Sequence, residues 1–343
     1  MMLEELRKYE KSQFEAVSGH IREQQQKGSF PTAFALPLGV QYELTASCNL
    51  KCLHCYNDSG GPGKKTTLQL SDWLRITREL IDSGGVFNII LSGGEPLLIG
   101  EGLFEIMDLF AADGTPITLI SNGFLLDEGW ISSLSRYKDL TLRLSIDGST
   151  EELHDGLRQV PGSFARVVRA AGLCSGAGIP FDISTCVTPE SLGSLEEMVR
   201  LAQGLGARGL GLEMVLFSGR AVKNRQLALN REQQELLAQK YVALKGKYSL
   251  PLGYGTGYYA VQYHLSGHPC KNLVIRPDGD VRLTCSAPFI VGNVQRESIA
   301  DIWRKKAVTA WRHPQVVRFL EGVDQVTAEY DGRANHWDKD ILL

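Results

Sequence analysis

Three cysteines within eight residues, Cys48-Asn49-Leu50-Lys51-Cys52-Leu53-His54-Cys55, are the densest group of reactive side chains in this 343-residue sequence. The C-x3-C-x2-C spacing puts three soft donors on one short loop, a set suited to zinc or to an iron–sulfur cluster. Structural zinc motifs come as two separated pairs with a closed coordination sphere, so His54 or a distant fourth ligand would have to complete one here. Three thiolates on a cubane cluster leave one iron without a protein ligand, and an open iron can bind and polarise a small molecule. Seven cysteines are an odd number, with three crowded together, which is no disulfide framework. They indicate a reducing compartment, the cytoplasm.

The elements that must position this loop follow a rhythm. Gln41–Thr45, Phe87–Leu91, Ile117–Ser121, Leu140–Ile146, Phe181–Val187 and Leu210–Leu216 read as strands. Between them, helices are predicted from Ser71 to Gly84-Gly85, from Asp127, over Ser163–Ser175 and over Leu192–Leu205. Six strand–helix units argue for a parallel sheet with crossover helices, either open and doubly wound or a full or partial barrel. No Gly-rich dinucleotide fingerprint follows the first strand; the cysteine loop does. Gly60–Lys65 (GGPGKK) lacks the first glycine and the Ser or Thr of a phosphate loop and is rejected as one.

The strand ends carry further motifs: Ser92-Gly93-Gly94-Glu95-Pro96 after the second, Ser121-Asn122-Gly123 after the third and Ser145-Ile146-Asp147-Gly148 after the fourth. Ligands of parallel β/α folds bind at such ends. With the cysteine loop they resemble the radical S-adenosylmethionine (SAM) superfamily through most of residues 40–220, and with them the cluster is favoured over zinc. The resemblance implies an α/β fold, a partial (β/α)6 barrel of the TIM type. It implies that Cys48, Cys52 and Cys55 ligate a [4Fe–4S] cluster whose free iron chelates SAM. An electron from a donor such as flavodoxin or ferredoxin then splits SAM to a 5′-deoxyadenosyl radical, which removes hydrogen from a C–H bond. Gly93, Gly94 and Glu95 would meet the SAM ammonium, Asn122 and Ser145 would contact SAM, and His54 would lie against adenine or face solvent. Arg158 would face the SAM carboxylate or sit on a helix surface. Period-two alternation puts Arg143, Ser145 and Asp147 on the barrel's inner face and Leu142, Leu144 and Ile146 against the helices.

The C-terminal third resembles a SPASM or twitch extension. Cys270, a hairpin around Pro277-Asp278-Gly279-Asp280, Cys285, and Gly292-Asn293-Val294 before Ser298–Trp303 carry that likeness. Relatives hold auxiliary clusters there, but no cysteine follows Cys285 and a cubane needs three or four protein ligands: either the cluster is lost, which is the expectation, or His268, an Asp or another group completes a site. The expected organisation is an N-terminal helical extension (1–37), the barrel (38–220), a helical linker (221–262) and a smaller α+β C-terminal domain (263–343). Asn230 with Gln233 signals a capped helix to about Lys245. The stretch 252–263 is too irregular to assign, and Ser298 should cap a last helix to Trp311. Cys174 reads as core. Cys285, Cys186 and Glu213 are candidate hydrogen donors or substrate contacts, with core packing the competing reading for Cys186.

Thirty-six basic and 39 acidic residues leave a formal charge of −3, without the basic footprint of a nucleic-acid binder. Apolar runs of five or six residues are far too short for a membrane span. The expected activity is radical SAM chemistry on a natural-product or peptide substrate. The alternatives are a ribosomal-peptide maturase, which cross-links or epimerises, and an enzyme of small sugars or nucleosides. A zinc-binding interaction protein is the non-enzymatic alternative, and it would need no such set of motifs at successive strand ends.

Overall fold

The computed structural model describes residues 2–63, 65–254, 269–319 and 340–343. Within these, strands β1 (Gly39–Glu43), β2 (Asn88–Ser92), β3 (Ile117–Ser121), β4 (Leu140–Ser145), β5 (Phe181–Cys186) and β6 (Leu210–Glu213) lie side by side in sequence order. Each neighbouring pair is parallel. Crossovers run through α2 (Leu70–Asp82), α3 (Gly102–Asp113), α4 (Glu128–Leu134), α5 (Glu151–Arg158), α6 (Ser163–Ala177) and α7 (Leu195–Gly204), after an N-terminal α1 (Met2–Gln26).

Alternation along each strand divides core from cavity. On β4, Leu140, Leu142 and Leu144 are at most 1 % exposed, and burial of each such side chain contributes roughly 2 kcal/mol. Ser145 turns to the other face and lines a cavity. On β1, Tyr42 is fully buried against Trp73 of α2, with ring centroids 4.7 Å apart, and Gln41 faces the cavity.

Three features depart from the sequence reading. First, a strand β7 (Leu252–Tyr254) adds in parallel to β6, inside the stretch read as irregular linker; its three residues, one a glycine, carry no readable alternation. The rest of that stretch lies outside the described residues. Second, β8 (Asn272–Ile275) pairs in parallel with β1, so the C-terminal strands continue the barrel sheet. β9 (Asp280–Arg282) and β10 (Phe289–Asn293) follow antiparallel, and β11 (Ile341–Leu342) ends the row. Third, the helix capped by Ser298 runs as Ile299–Ile302 and then widens to a π turn at Trp303–Ala307. There Trp303 is buried and its Nε1 donates to Phe34 O at 2.9 Å.

The capped helix is present as α8 (Arg231–Lys247): Asn230 accepts from Gln233 N, and Gln233 Oε1 from Asn230 N, both at 2.9 Å. α1 is tied to it where the Met2 and Leu3 amides donate to the Glu235 carboxylate.

Candidate active site

A cavity of about 350 Å3 opens at the C-terminal ends of β1–β6. Cys48, Cys52, Cys55, His54, Gly93, Gly94, Asn122, Ser145, Arg158, Cys186 and Glu213 all line it. Residues from six strand ends and one helix, up to 165 positions apart in sequence, thus meet at one place. Gly94 shows why its position admits no side chain: an added Cβ would stand 1.9 Å from Ser47 O, inside the cysteine loop.

Arg158 is no helix-surface residue. Only 8 % exposed, it donates from Nε to Asp147 Oδ2 at 2.5 Å and from Nη1 to Cys52 Sγ at 3.6 Å. Asp147 is fully enclosed; its other oxygen accepts from the Cys186 amide at 2.9 Å. Burial alone would lift the Asp147 carboxyl, but the Arg158 guanidinium, with His54, His154 and the Cys186 amide, holds it down at about 2. His54 stands beside this pair, its Nε2 3.7 Å from Asp147 Oδ2. Burial lowers its pKa to about 4, so the ring is neutral.

Glu95 departs from expectation. It does not line the cavity but lies wholly buried behind the wall. Its carboxylate accepts from Ser121 Oγ (2.9 Å), Asn122 N (2.9 Å) and Leu97 N (3.3 Å). Burial pushes its pKa up to about 7 against the pull of these donors. Glu95 thus ties the second strand end to the third. Asn122, held there, reaches forward to Asn49 Oδ1 at 2.9 Å. Cys285 also lies off the cavity, among Glu43, Thr284 and Arg282. Cys174 is core.

Asp147, which alternation on the fourth strand turns inward, lines the cavity as that pattern predicts, and Gln41, Tyr56 and Ser59 join the wall without having been expected there. The same alternation, applied to the first strand, finds Gln41. Nothing in the pattern marks Tyr56, whose hydroxyl donates to Glu43 Oε1 at 3.0 Å.

The donor set fits a cluster. Burial holds the Cys48 thiol up at about 12 and raises Cys52 as well; thiols of this kind are inert as free nucleophiles and ionise on binding metal. His54 Nδ1, buried without a partner, is a further unfilled polar atom beside the thiols.

Comparison with known proteins agrees. The profile of the radical SAM superfamily matches residues 42–202, and that of an iron–sulfur cluster-binding domain, SPASM, matches residues 267–322. PqqA peptide cyclase of Ruegeria pomeroyi is 30 % identical over 273 residues, 77 % of this chain and 72 % of that one. The chain belongs to the radical SAM superfamily. This radical SAM enzyme is also 26 % identical over 293 residues to the subtilosin biosynthesis protein AlbA of Bacillus subtilis, covering 84 % of this chain but only 64 % of AlbA. The crystal structure of Streptococcus suis SuiB bound to SAM superposes with a TM-score of 0.67 at 16 % identity, over 86 % of this chain and 71 % of SuiB. That likeness shows the partial-barrel fold. The cofactors of the superfamily enzyme are an iron–sulfur cluster and SAM. No helix among the described residues is long and apolar enough to cross a membrane.

Proposed function

We propose that this enzyme modifies a peptide, taking hydrogen from a C–H bond of a chain laid across the barrel mouth. The size of the cavity carries the reading. About 350 Å3 suits one cofactor-sized molecule, so in this reading the substrate lies at the mouth rather than enclosed beside the cofactor. Similarity to PqqA peptide cyclase and to a bacteriocin biosynthesis protein supports it.

In this reading Cys48, Cys52 and Cys55 hold the [4Fe–4S] cluster, and the Gly93–Gly94 backbone receives the SAM ammonium. Bound together, cluster and SAM supply a 5′-deoxyadenosyl radical. Arg158 meets the SAM carboxylate through Nη2, since Nε and Nη1 are committed to Asp147 and Cys52. Asp147 keeps that guanidinium charged and aimed. Asn122 and Ser145 donate to the bound cofactor, and neutral His54 offers its ring face to adenine. In the same reading Glu213 and Cys186, which also line the cavity, contact the substrate. Seven free cysteines and an oxidation-sensitive cluster suit the cytoplasm, with a flavodoxin or ferredoxin as electron donor.

The test is reduced, reconstituted enzyme with SAM and peptides deuterated at their side chains. Deuterium appearing in 5′-deoxyadenosine establishes peptide C–H abstraction. Label from deuterated sugars or nucleosides, and none from peptides, overturns the reading in favour of a small-molecule enzyme.

A further inference from the structure

The cysteine loop is gripped from two sides, and only one grip belongs to the site described so far. On the α5 side, Lys51 N donates to Arg158 O (3.2 Å) and Leu53 N to Leu157 O (2.9 Å). On the opposite side stands the segment after β6. There Arg220 donates four times: its amide to Cys55 O (2.9 Å), Nη1 to Cys52 O (3.0 Å), Nη2 to Ser59 O (2.7 Å) and Nε to Asp58 Oδ1 (3.0 Å). Asn224 Nδ2 adds a bond to Leu53 O at 3.0 Å. Of the loop carbonyls between Cys52 and Ser59, these two side chains and one amide hold four.

The local backbone is shaped for this contact. Gly219 sits at φ +57°, and a Cβ there would come within 2.4 Å of Tyr56 O, so glycine lets the segment press onto the loop. Asp58 itself is left-handed at φ +50°, a strained setting for a residue with a side chain, and its carboxylate is the group Arg220 Nε holds. Only a planar guanidinium can reach two diverging carbonyls and a carboxylate at once; a lysine ammonium is a single point.

We propose that Arg220 is a positioning residue for the cluster, fixing the Cys52–Cys55 half of the loop and setting a permanent positive charge behind it. From the other flank, Arg158 Nη1 donates to Cys52 Sγ at 3.6 Å. The proposal rests on the three cysteines being the ligands. It also makes a claim about the loop without its cluster, which is tested separately.

The first measurement is the alkylation rate of each thiol in the metal-free, reduced full-length protein, read by mass spectrometry. Arg220→Gln should label Cys52 and Cys55 at least about tenfold faster than the unaltered protein, the factor expected from losing even one of the three charge-assisted bonds, while Cys174 stays protected. Rates within twofold overturn the proposal. If Cys174 also becomes reactive, the variant has unfolded and Asn224→Ala decides. That variant should label the two thiols roughly threefold faster with Cys174 protected, as for one neutral bond lost, and no change overturns the proposal.

The second measurement is the cluster's midpoint potential. It should move negative in Arg220→Gln and return in Arg220→Lys, which restores charge without the fork. An unmoved potential overturns the electrostatic role. Neither readout depends on which substrate is labelled, so failure of the peptide reading leaves both results standing.

Discussion

At the barrel mouth Cys48, Cys52 and Cys55 face one cavity on a loop pinned from both flanks, whereas Cys270 and Cys285 in the C-terminal unit have separate surroundings. Cys270 is 2 % exposed beside Trp311, its thiol held up at about 11 by burial. Cys285 is half-buried among Glu43, Thr284 and Arg282, where burial again raises it. Both regions match iron–sulfur families in sequence. Among the described residues, the mouth brings three thiols to one cavity on a braced loop. The described part of the C-terminal unit also builds the sheet: β8 completes the hydrogen bonding of β1, and Arg276 and Arg282 both bind Asp340 ahead of β11.

The sharpest way to break this contrast is to remove the mouth's thiols. With Cys48, Cys52 and Cys55 all changed to Ala, long-wavelength absorbance and 5′-deoxyadenosine formation should both vanish, and anaerobic reconstitution should leave about zero iron per chain. Roughly four irons retained, and lost again on adding Cys270→Ala, would make the C-terminal unit a second cluster site and erase the distinction.

Next in size is the frame around those thiols. Arg158→Ala strands the enclosed Asp147 carboxylate and should cost about 3–5 kcal/mol, measured by denaturant unfolding. Asp147 also fixes a pH dependence. Its folded pKa, about 2, lies below the ordinary 3.8, so its stabilisation is present above about pH 4 and lost as pH falls toward 2. That amounts to about 2 kcal/mol. Asp147→Asn should be less stable at neutral pH and should lack that part of the acid slope; an identical slope in both proteins refutes the assignment.

Glu95→Ala is expected to act through the wall rather than by losing a cofactor contact. Three buried donors, on Ser121, Asn122 and Leu97, lose their acceptor, at about 1–3 kcal/mol. SAM affinity should fall about tenfold as the Asn122 turn loosens, while iron content stays unchanged. Calorimetric titration with SAM checks it. Unaltered affinity with reduced stability would show that the turn holds its shape without Glu95.

How much of this was legible in the sequence follows physical range. Cysteine spacing, strand-end motifs and alternation on β4 are local patterns, and the strands and the cavity residues emerged from them. Caps such as Asn230–Gln233 were legible for the same reason. β7 was not, because three residues next to a glycine carry too little pattern. The pairing of β8 with β1 spans more than 200 positions and depends on which edge of the sheet is left open. Arg158 could be placed only once Asp147 and Cys52 were seen on either side of it. Arg220 escaped because its partners are backbone carbonyls, which leave no trace in side-chain type. Glu95 misled for a related reason: a carboxylate in a Gly-Gly-Glu turn suits a cation, and which way it turns depends on donors contributed by the next strand.

The smallest effect separates the two C-terminal thiols. Cys270→Ala removes one sulfur from a packed site, leaving a void that should cost about 1 kcal/mol. Cys285→Ala lies in a half-buried, polar setting and should cost less than about 0.5 kcal/mol. Neither should alter iron content, cluster absorbance or the rate of 5′-deoxyadenosine release, because neither thiol borders the cavity. Thermal melts of the two single variants, with iron assays on the same samples, decide it. A fall in turnover on Cys285→Ala with iron and stability intact would mean that the substrate reaches past Tyr56 and Glu43 to this thiol. The C-terminal unit would then share in the chemistry of the mouth.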